Sequence, residues 1–504
     1  MNKKLRYFDL PVITSGTSKK SLVVFFILLF LIVLRLSLTG LMGLMPQDAY
    51  YFFYSEHPAL SYYDHPGAIA WALWFFTSLL GKKVFVVKLA ATIVTLLTQV
   101  AFAVLAMCFL DFKGVLLAMI LLLSTVMISV LSLIASPDVP LVFFWTLSLI
   151  ALYLAVFREI KQCWLWAGLL MGLAFDSKYT AVFLPAGLIL FLVLTPLYRK
   201  LLLSKWLYAC LLLFIITALP VIIWNYDHDF ASFRFQSVNR AEEAESSYFS
   251  VKDFFGVIGH QAFLLVPVLF FSLIAMLWGF YKKYRLKLSS IPAQQLFLLS
   301  FFAPVFIGFL CISFFYWVKI NWIMPAYITG IILAGMYVKQ KWVLPQLIAS
   351  LVIHIVMAVE IIFYPVIVRS DDTWVGWNDL SQQVKSIKAH YPGYFIFSAD
   401  DYKTAAVLNF YYDEMVYGKN ILGEPALQFD YVNTNLQTLK GKNALFIDSH
   451  PNLSDCETYL PVLNRYFTQI TPLQPILVKK GGSVVRKFCV YACLKYNPPA
   501  HQAP

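Results

Sequence analysis

The chain has 504 residues, of which 60% are hydrophobic, 17% aromatic and only 13% charged, with a mean hydropathy of +0.72. Those proportions exclude an ordinary water-soluble globule and leave a polytopic membrane protein as the class. The formal charge of +12 does not point to nucleic acid, because the lysines and arginines fall in short clusters between apolar runs and not along one basic face.

At the N-terminus, "MNKKLRYFDLPVITSGTSKK" places five basic residues before an apolar run from Ser21 to about Met45. That run is too long for a signal-peptide core and lacks a small-residue cleavage site, so it is expected to stay as a first span. Further runs at 84–110, 114–134, 139–157, 162–176, 180–198, 206–224, 254–280, 295–315, 323–338 and 342–364 bring the total to about eleven transmembrane helices. With the N-terminus inside, the basic loops at 158–161, 198–205, 281–287 and 339–341 all fall in the cytoplasm, as the positive-inside rule requires. The apolar "GAIAWALWFFTSLLGKK" is short for a span and would reverse every later loop, so it reads as a helix in the outer interface anchored by Trp71 and Trp74. Lys82, Lys83 and Lys88 stand against the charge rule on that outer side.

After Tyr364 the composition turns polar, with helical signals at 379–390 and 402–412 and strand-like "YFIFSA", "NALFIDS" and "SVVRKFCVYACLKY". The expected organisation is therefore a membrane region over 1–364 and an exported soluble α/β domain over 365–504. Cys108, Cys163, Cys210 and Cys311 lie in apolar runs and read as small buried hydrophobes. Cys456, Cys489 and Cys493 lie in the polar region, where export would allow one disulfide, from Cys456 to either of the other two.

The outer loops hold most of the unusual chemistry. "PQDAYYFFYSEHPALSYYDHPGAIAW" carries Asp48, Glu56, His57, Asp64 and His65 with five tyrosines, Tyr51 among them. Later loops present Asp138 in "ASPDVP", Asp176, Lys178 and Tyr179 in "FDSKYT", Arg234 and Arg240 around "SFRFQSVNR", and Lys319 and Asn321 in "FYWVKINW". A charged turn between short spans needs water, a partner or a substrate, and Arg35 inside the first apolar run is by the same rule a candidate functional residue or half of a buried pair with a carboxylate. Carboxylates beside cations at one membrane surface suit an acceptor hydroxyl that loses a proton and a phosphate that leaves. The "EH" and "DH" pairs lack H-x-x-x-H or similar ligand spacing, so the reading stays open between no metal and a divalent cation. A transporter would place its ionisable groups near the midplane on broken helices, and a scaffold would need none of the loop acids.

The motifs "RL" in the first span, "PQDAYY", "LSYYDHP", "SPDVPLVFFW", "SKYTA", "SFRFQ" and "NWxxPAY", taken in order, resemble bacterial GT-C glycosyltransferases of families 39 and 83, the relatives of protein O-mannosyltransferases and of the lipid A aminoarabinose transferase. The resemblance covers the membrane region and reaches weakly into the C-terminal domain through "DYKTAA". It implies a GT-C fold in a bacterial inner membrane, an active site facing the periplasm and a polyprenyl-phosphate (undecaprenyl-type) sugar donor. It also implies an inverting transfer to an envelope glycolipid such as lipid A, with a protein acceptor as the alternative, and membrane lipids but no nucleic acid as partners. The family's Asp-Glu pair appears here as Gln47-Asp48. The resemblance therefore casts Asp48 as general base, assisted by Asp138 and Asp64. Arg35, His65, Lys178, Tyr179, Arg234, Lys319, Asn321 and Tyr51 are the expected substrate contacts, the motif supporting Arg35 and Lys178 and position alone supporting Arg234 and Lys319.

Overall fold

The computed structural model describes residues 19–239, 249–285, 287–432 and 435–498. The basic segment ahead of residue 19, Arg240 and the acids that follow it lie outside the described residues. The chain runs through α1 (Lys19–Leu41), α2 (Pro46–Glu56), α3 (Ala68–Leu80), α4 (Val84–Phe109), α5 (Phe112–Leu123), α6 (Val126–Leu133), α7 (Asp138–Phe157) and α8 (Gln162–Phe175). It continues through α9 (Phe183–Leu194), α10 (Lys205–Thr217), α11 (Leu219–Asp227), α12 (Ala231–Arg234), α13 (Val251–Leu265), α14 (Pro267–Tyr284), α15 (Ala293–Ile312), α16 (Met324–Tyr337) and α17 (Val343–Phe363).

The expected apolar runs are largely helical, but the expected count of about eleven spans is not confirmed. Among the described residues, five helices are long and apolar enough to cross a membrane, or up to eight if each bent pair is one span. The run at 114–134 bends by 60° between α5 and α6, and 206–224 by 45° between α10 and α11. The run at 254–280 turns by 113° between α13 and α14, the geometry of a broken span or a re-entrant loop. Helix α3 has 13 residues, a length of about 20 Å that falls short of a hydrocarbon core of about 30 Å.

The bends interrupt the backbone ladder where water is scarce, so side chains must take up the freed groups. At Val266, a β-branched residue held at φ 67°, α13 stops and α14 starts. The Gln346 amide spans this break: its Oε1 accepts from Leu269 N at 3.0 Å and its Nε2 donates to Leu265 O at 3.0 Å. The same Nε2 reaches Ser124 Oγ at 3.0 Å, and Ser350 Oγ donates to Ser124 O at 2.6 Å, which serves the α5/α6 break. Arg35 completes that repair by donating to Leu123 O at 2.7 Å, Thr125 O at 3.0 Å, Ser129 Oγ at 2.8 Å and His354 Nε2 at 3.1 Å. Gln346→Leu is expected to remove the side-chain donor from Leu265 O, while Leu269 N keeps Val266 O at 3.1 Å, and to lower stability by about 1–3 kcal/mol, seen as a lower thermal midpoint in detergent. A midpoint equal to wild type would mean the break is held by other contacts.

Beyond α17 come α18 (Trp377–His390), β1 (Phe395–Phe397), α19 (Lys403–Tyr411), β2 (Val416–Tyr417), β3 (Ala444–His450), α20 (Leu460–Tyr466), β4 (Phe467–Pro472), β5 (Ile476–Lys480) and β6 (Ser483–Tyr496). The sheet runs β2-β1-β3-β6-β4, parallel among the first three and antiparallel around β6, whose N-terminal half also pairs β5. Cys456 and Cys489 form the disulfide, and Cys493 is buried and free. The apolar core is continuous from the helical bundle through α18 and α19 into this sheet.

Inside this region Asp448 is fully buried, accepting from Ser398 Oγ at 3.0 Å and Ala399 N at 2.7 Å. Burial, with Asp371 nearby, pushes its carboxyl up to about 6. The folded state thus holds a proton that the unfolded chain releases above its ordinary value of 3.8, so stability falls as pH rises from about 4 through 6. Asp448→Asn keeps the acceptor oxygen, and it should melt higher than wild type at about pH 7.5 and like wild type at about pH 4. Equal melting at both pH values would overturn the assignment.

Candidate active site

One end of the bundle gathers residues from six separated segments. Helix α2 opens with Pro46, whose missing N–H suits a first helical position. Asp48 then folds back to accept from Met45 N at 2.9 Å. Its other oxygen, Oδ1, accepts from Ala135 N at 2.7 Å, and Lys88, near the start of α4, pairs with the same Oδ2 that Met45 N reaches while donating to Leu133 O at 2.7 Å. Both side chains are 0% exposed. The pair ties α2, α4 and the α6–α7 turn into one corner, and neither carboxylate oxygen of Asp48 faces an open space.

Asp138 stands in the first turn of α7, where the helix dipole favours a carboxylate. Its Oδ1 accepts from Lys178 Nζ at 2.8 Å and its Oδ2 from Asn321 Nδ2 at 2.6 Å. Asn321 is held in turn by its neighbour: Gln261 Nε2 donates to Ile320 O at 3.1 Å, and Tyr327 donates to Gln261 Oε1 at 2.7 Å. Three loops that are distant in sequence therefore meet at Asp138.

Asp64 is half-buried, and its Oδ1 accepts from the hydroxyls of Tyr50, at 3.1 Å, and Tyr54. Gln236 Nε2 donates to the Asp64 carbonyl at 2.5 Å. Tyr51 lies between the acids, with its ring centroid 6.0 Å from that of His65. Burial and then the charge of Asp64 push its phenol well above the ordinary range, with Tyr402 and Asp138 adding to the shift, so Tyr51 stays a hydrogen-bond donor at any working pH. Tyr179 shares a 2.6 Å hydrogen bond with Ser232 Oγ.

Two expected contacts sit at the rim. Arg234 is exposed beside Tyr63 and Tyr431 and donates to Asp229 O, and Lys319 is exposed two residues before Asn321. Arg35 does not join the cluster. Helix α6 separates its contact at Thr125 from the Leu133 corner by eight residues, about 12 Å, and its guanidinium is spent on carbonyls, Ser129 and His354, with no ion pair to a carboxylate among the described residues. Among the described residues, no group of three or more His, Cys, Asp or Glu is arranged to hold a metal ion.

Several site residues were missed from sequence. Lys88 looked like a breach of the charge rule and is instead the partner of Asp48, while Lys82 pairs with Glu56 at 2.7 Å and donates to Asn409 O at 3.2 Å. A lysine inside "VFVVKLAATIV" carries the same signal that singled out Arg35. The C-terminal region also enters the site. The Tyr402 ring lies 4.4 Å from Tyr50, Gln428 N donates to Tyr50 Oη at 3.2 Å, and Gln428 Oε1 accepts from Tyr63 N at 2.8 Å.

An apolar helical bundle with this polar cluster at one end, under a sheet domain that packs onto the first loop, is the GT-C glycosyltransferase fold, and the chain resembles those enzymes as its motifs imply. The crystal structure of ArnT from Cupriavidus metallidurans in the apo state matches with a TM-score of 0.63 at 14% identity, covering 94% of this chain and 98% of that one. The same protein bound to undecaprenyl phosphate matches with 0.60 over the same shares. The archaeal oligosaccharyltransferase AglB from Archaeoglobus fulgidus matches with 0.51 at 11% identity, over 96% of this chain and 75% of that one. In sequence, residues 64–224 match the family model described as dolichyl-phosphate-mannose-protein mannosyltransferase. The lipid A galacturonosyltransferase RgtD of Rhizobium johnstonii is 29% identical over 295 residues, which is 57% of this chain. The match spans only 59% of that relative's length.

Proposed function

We propose that this chain transfers a sugar from a polyprenyl-phosphate donor to an envelope glycolipid of the lipid A class, at the outer face of a bacterial inner membrane. The observation that carries this reading is the convergence of Asp64, Asp138, Lys178, Asn321 and Tyr51 at one end of the bundle. The likeness to an undecaprenyl-phosphate-bound ArnT supports the donor class, and the RgtD match supports the acceptor class. The Cys456–Cys489 disulfide supports an exported C-terminal domain over 365–504, since such bonds persist in oxidising compartments.

In the proposed step, the acceptor hydroxyl gives its proton to a carboxylate as its oxygen attacks the anomeric carbon, and the bond from that carbon to the phosphate oxygen breaks with inversion. Of the three acids expected to act, Asp48 is sealed by Lys88, Met45 N and Ala135 N, whereas Asp64 is half-exposed. The base role therefore goes to Asp64, and Asp48 with Lys88 positions the loop that carries it. Lys178, oriented by Asp138, meets the charge growing on the leaving phosphate, with Arg234 and Lys319 at the rim. Tyr51, Tyr179, Asn321 and His65 line the sugar and phosphate path; Arg35 serves the bundle and not the substrate.

The family model's own description favours a second reading, a protein acceptor. Purified enzyme in liposomes, supplied with polyprenyl-phosphate sugars and either lipid A or envelope proteins, separates the two by mass spectrometry. One sugar mass on lipid A is the expected result. Transfer only to protein would establish the second reading, and transfer to neither would overturn both.

A further inference from the structure

At the opposite end of α16 from Asn321, 14 helical residues or about 21 Å away, the bundle opens into two adjoining cavities. The first, of about 430 Å³, is lined by Lys283, Lys339 and Lys341 together with Gly279, Tyr337 and Trp342. The second, of about 290 Å³, runs between α9, α14 and α15 and is walled by leucines, Ile291, Ala303 and Ile307. Phe280 and Tyr284 belong to both, so the basic mouth and the apolar groove lie on either side of the same two rings.

Two features show that this arrangement is open to a ligand. No Asp or Glu occurs between Asp253 and Glu360, and among the described residues none of the three lysines is in an ion pair. Lys283 and Lys341 instead lie over the rings of Tyr284 and Trp342, at 5.0 and 5.5 Å. Gly279 lines the mouth from the middle of α14, where glycine weakens a helix, and a Cβ built on it would meet nothing within 4 Å. The helix is thinned there without any protein neighbour to take up the space.

We infer that this paired cavity is a binding site for an anionic membrane phospholipid, with the phosphodiester headgroup among Lys283, Lys339 and Lys341 and an acyl chain in the groove beyond Phe280 and Tyr284. A bare anion would use the lysines and leave the groove empty, and a neutral lipid would use the groove and leave the charge unmatched. Basic pockets between helices at a membrane face recognise phospholipid headgroups in this way. The site lies on the basic-loop face, away from the reaction centre, and stands whether or not the proposed transfer is correct.

Native mass spectrometry of the full chain in detergent, titrated with phosphatidylglycerol or with phosphatidylcholine of the same acyl chains, tests the inference. Phosphatidylglycerol should be retained one to one, phosphatidylcholine should not, and inorganic phosphate should fail to displace the lipid. Exchanging all three lysines for alanine should lower retention about ten-fold or more. Gly279→Phe should do the same by filling the mouth, and both variants should elute as wild type does. Equal retention of the two lipids, displacement by inorganic phosphate, or unchanged retention in both variants would overturn the site.

Discussion

Asp64→Asn is expected to lower turnover by about a hundredfold to ten-thousandfold, the range that a positioned base contributes, while leaving donor affinity and thermal midpoint unchanged. The asparagine keeps an oxygen for the Tyr50 and Tyr54 hydroxyls, so the loop geometry is preserved and only the proton acceptor is lost. Asp138 is the competing base, but it is buried, with its Oδ1 held by Lys178 and its Oδ2 by Asn321, and freeing Oδ1 would uncouple the cation that the leaving phosphate needs. The measurement is kcat with saturating donor alongside binding of the polyprenyl phosphate to the same variant. Unchanged kcat would remove Asp64 from the mechanism and transfer the role to Asp138, whereas a loss confined to donor binding would make Asp64 a substrate contact only.

The sequence carried the cluster around Asp138 because each member interrupts an apolar run at the same membrane level, and such interruptions are costly unless they meet. Asn321 and Lys178 were legible for that reason. Lys88 was not, because the same topology that grouped the acids on the outer side made an outer lysine look like an exception, and no spacing links residues 48 and 88. The bends were hidden for a different reason. Hydropathy averages over Ser124 and Val266 without registering a broken ladder, and the residues that repair the breaks, Gln346, Ser350 and Arg35, sit on helices remote in sequence. In the C-terminal region the long strands β3 and β6 were visible as β-rich runs. The two-residue β2 is too short to show a period, the edge strand β4 is mostly exposed, and the approach of Tyr402 to Tyr50 is a tertiary contact that no local pattern encodes.

Lys88→Met is expected to destabilise the protein by about 3–5 kcal/mol, because it strands the Asp48 carboxylate in a corner with no access to water. Asp48→Asn alone should destabilise less, because its amide oxygen still accepts a hydrogen bond but carries no charge to balance the buried ammonium, which also keeps Leu133 O. Combining the two leaves a neutral amide beside an apolar chain, and the double variant should recover much of the loss. Thermal unfolding of the four proteins in detergent measures the coupling. Additive losses would mean that the two side chains are not a pair in the folded membrane protein, and the positioning role proposed for Asp48 would fall with it. A contrary pattern is equally informative: if Asp48→Asn keeps the wild-type midpoint yet abolishes turnover, the carboxylate must leave Lys88 during the reaction and act on substrate directly, as the family motif implies. With Met45 N, Ala135 N and Lys88 all released at once, that exchange would have to move the start of α2, and with it the Tyr50–Asp64 contact.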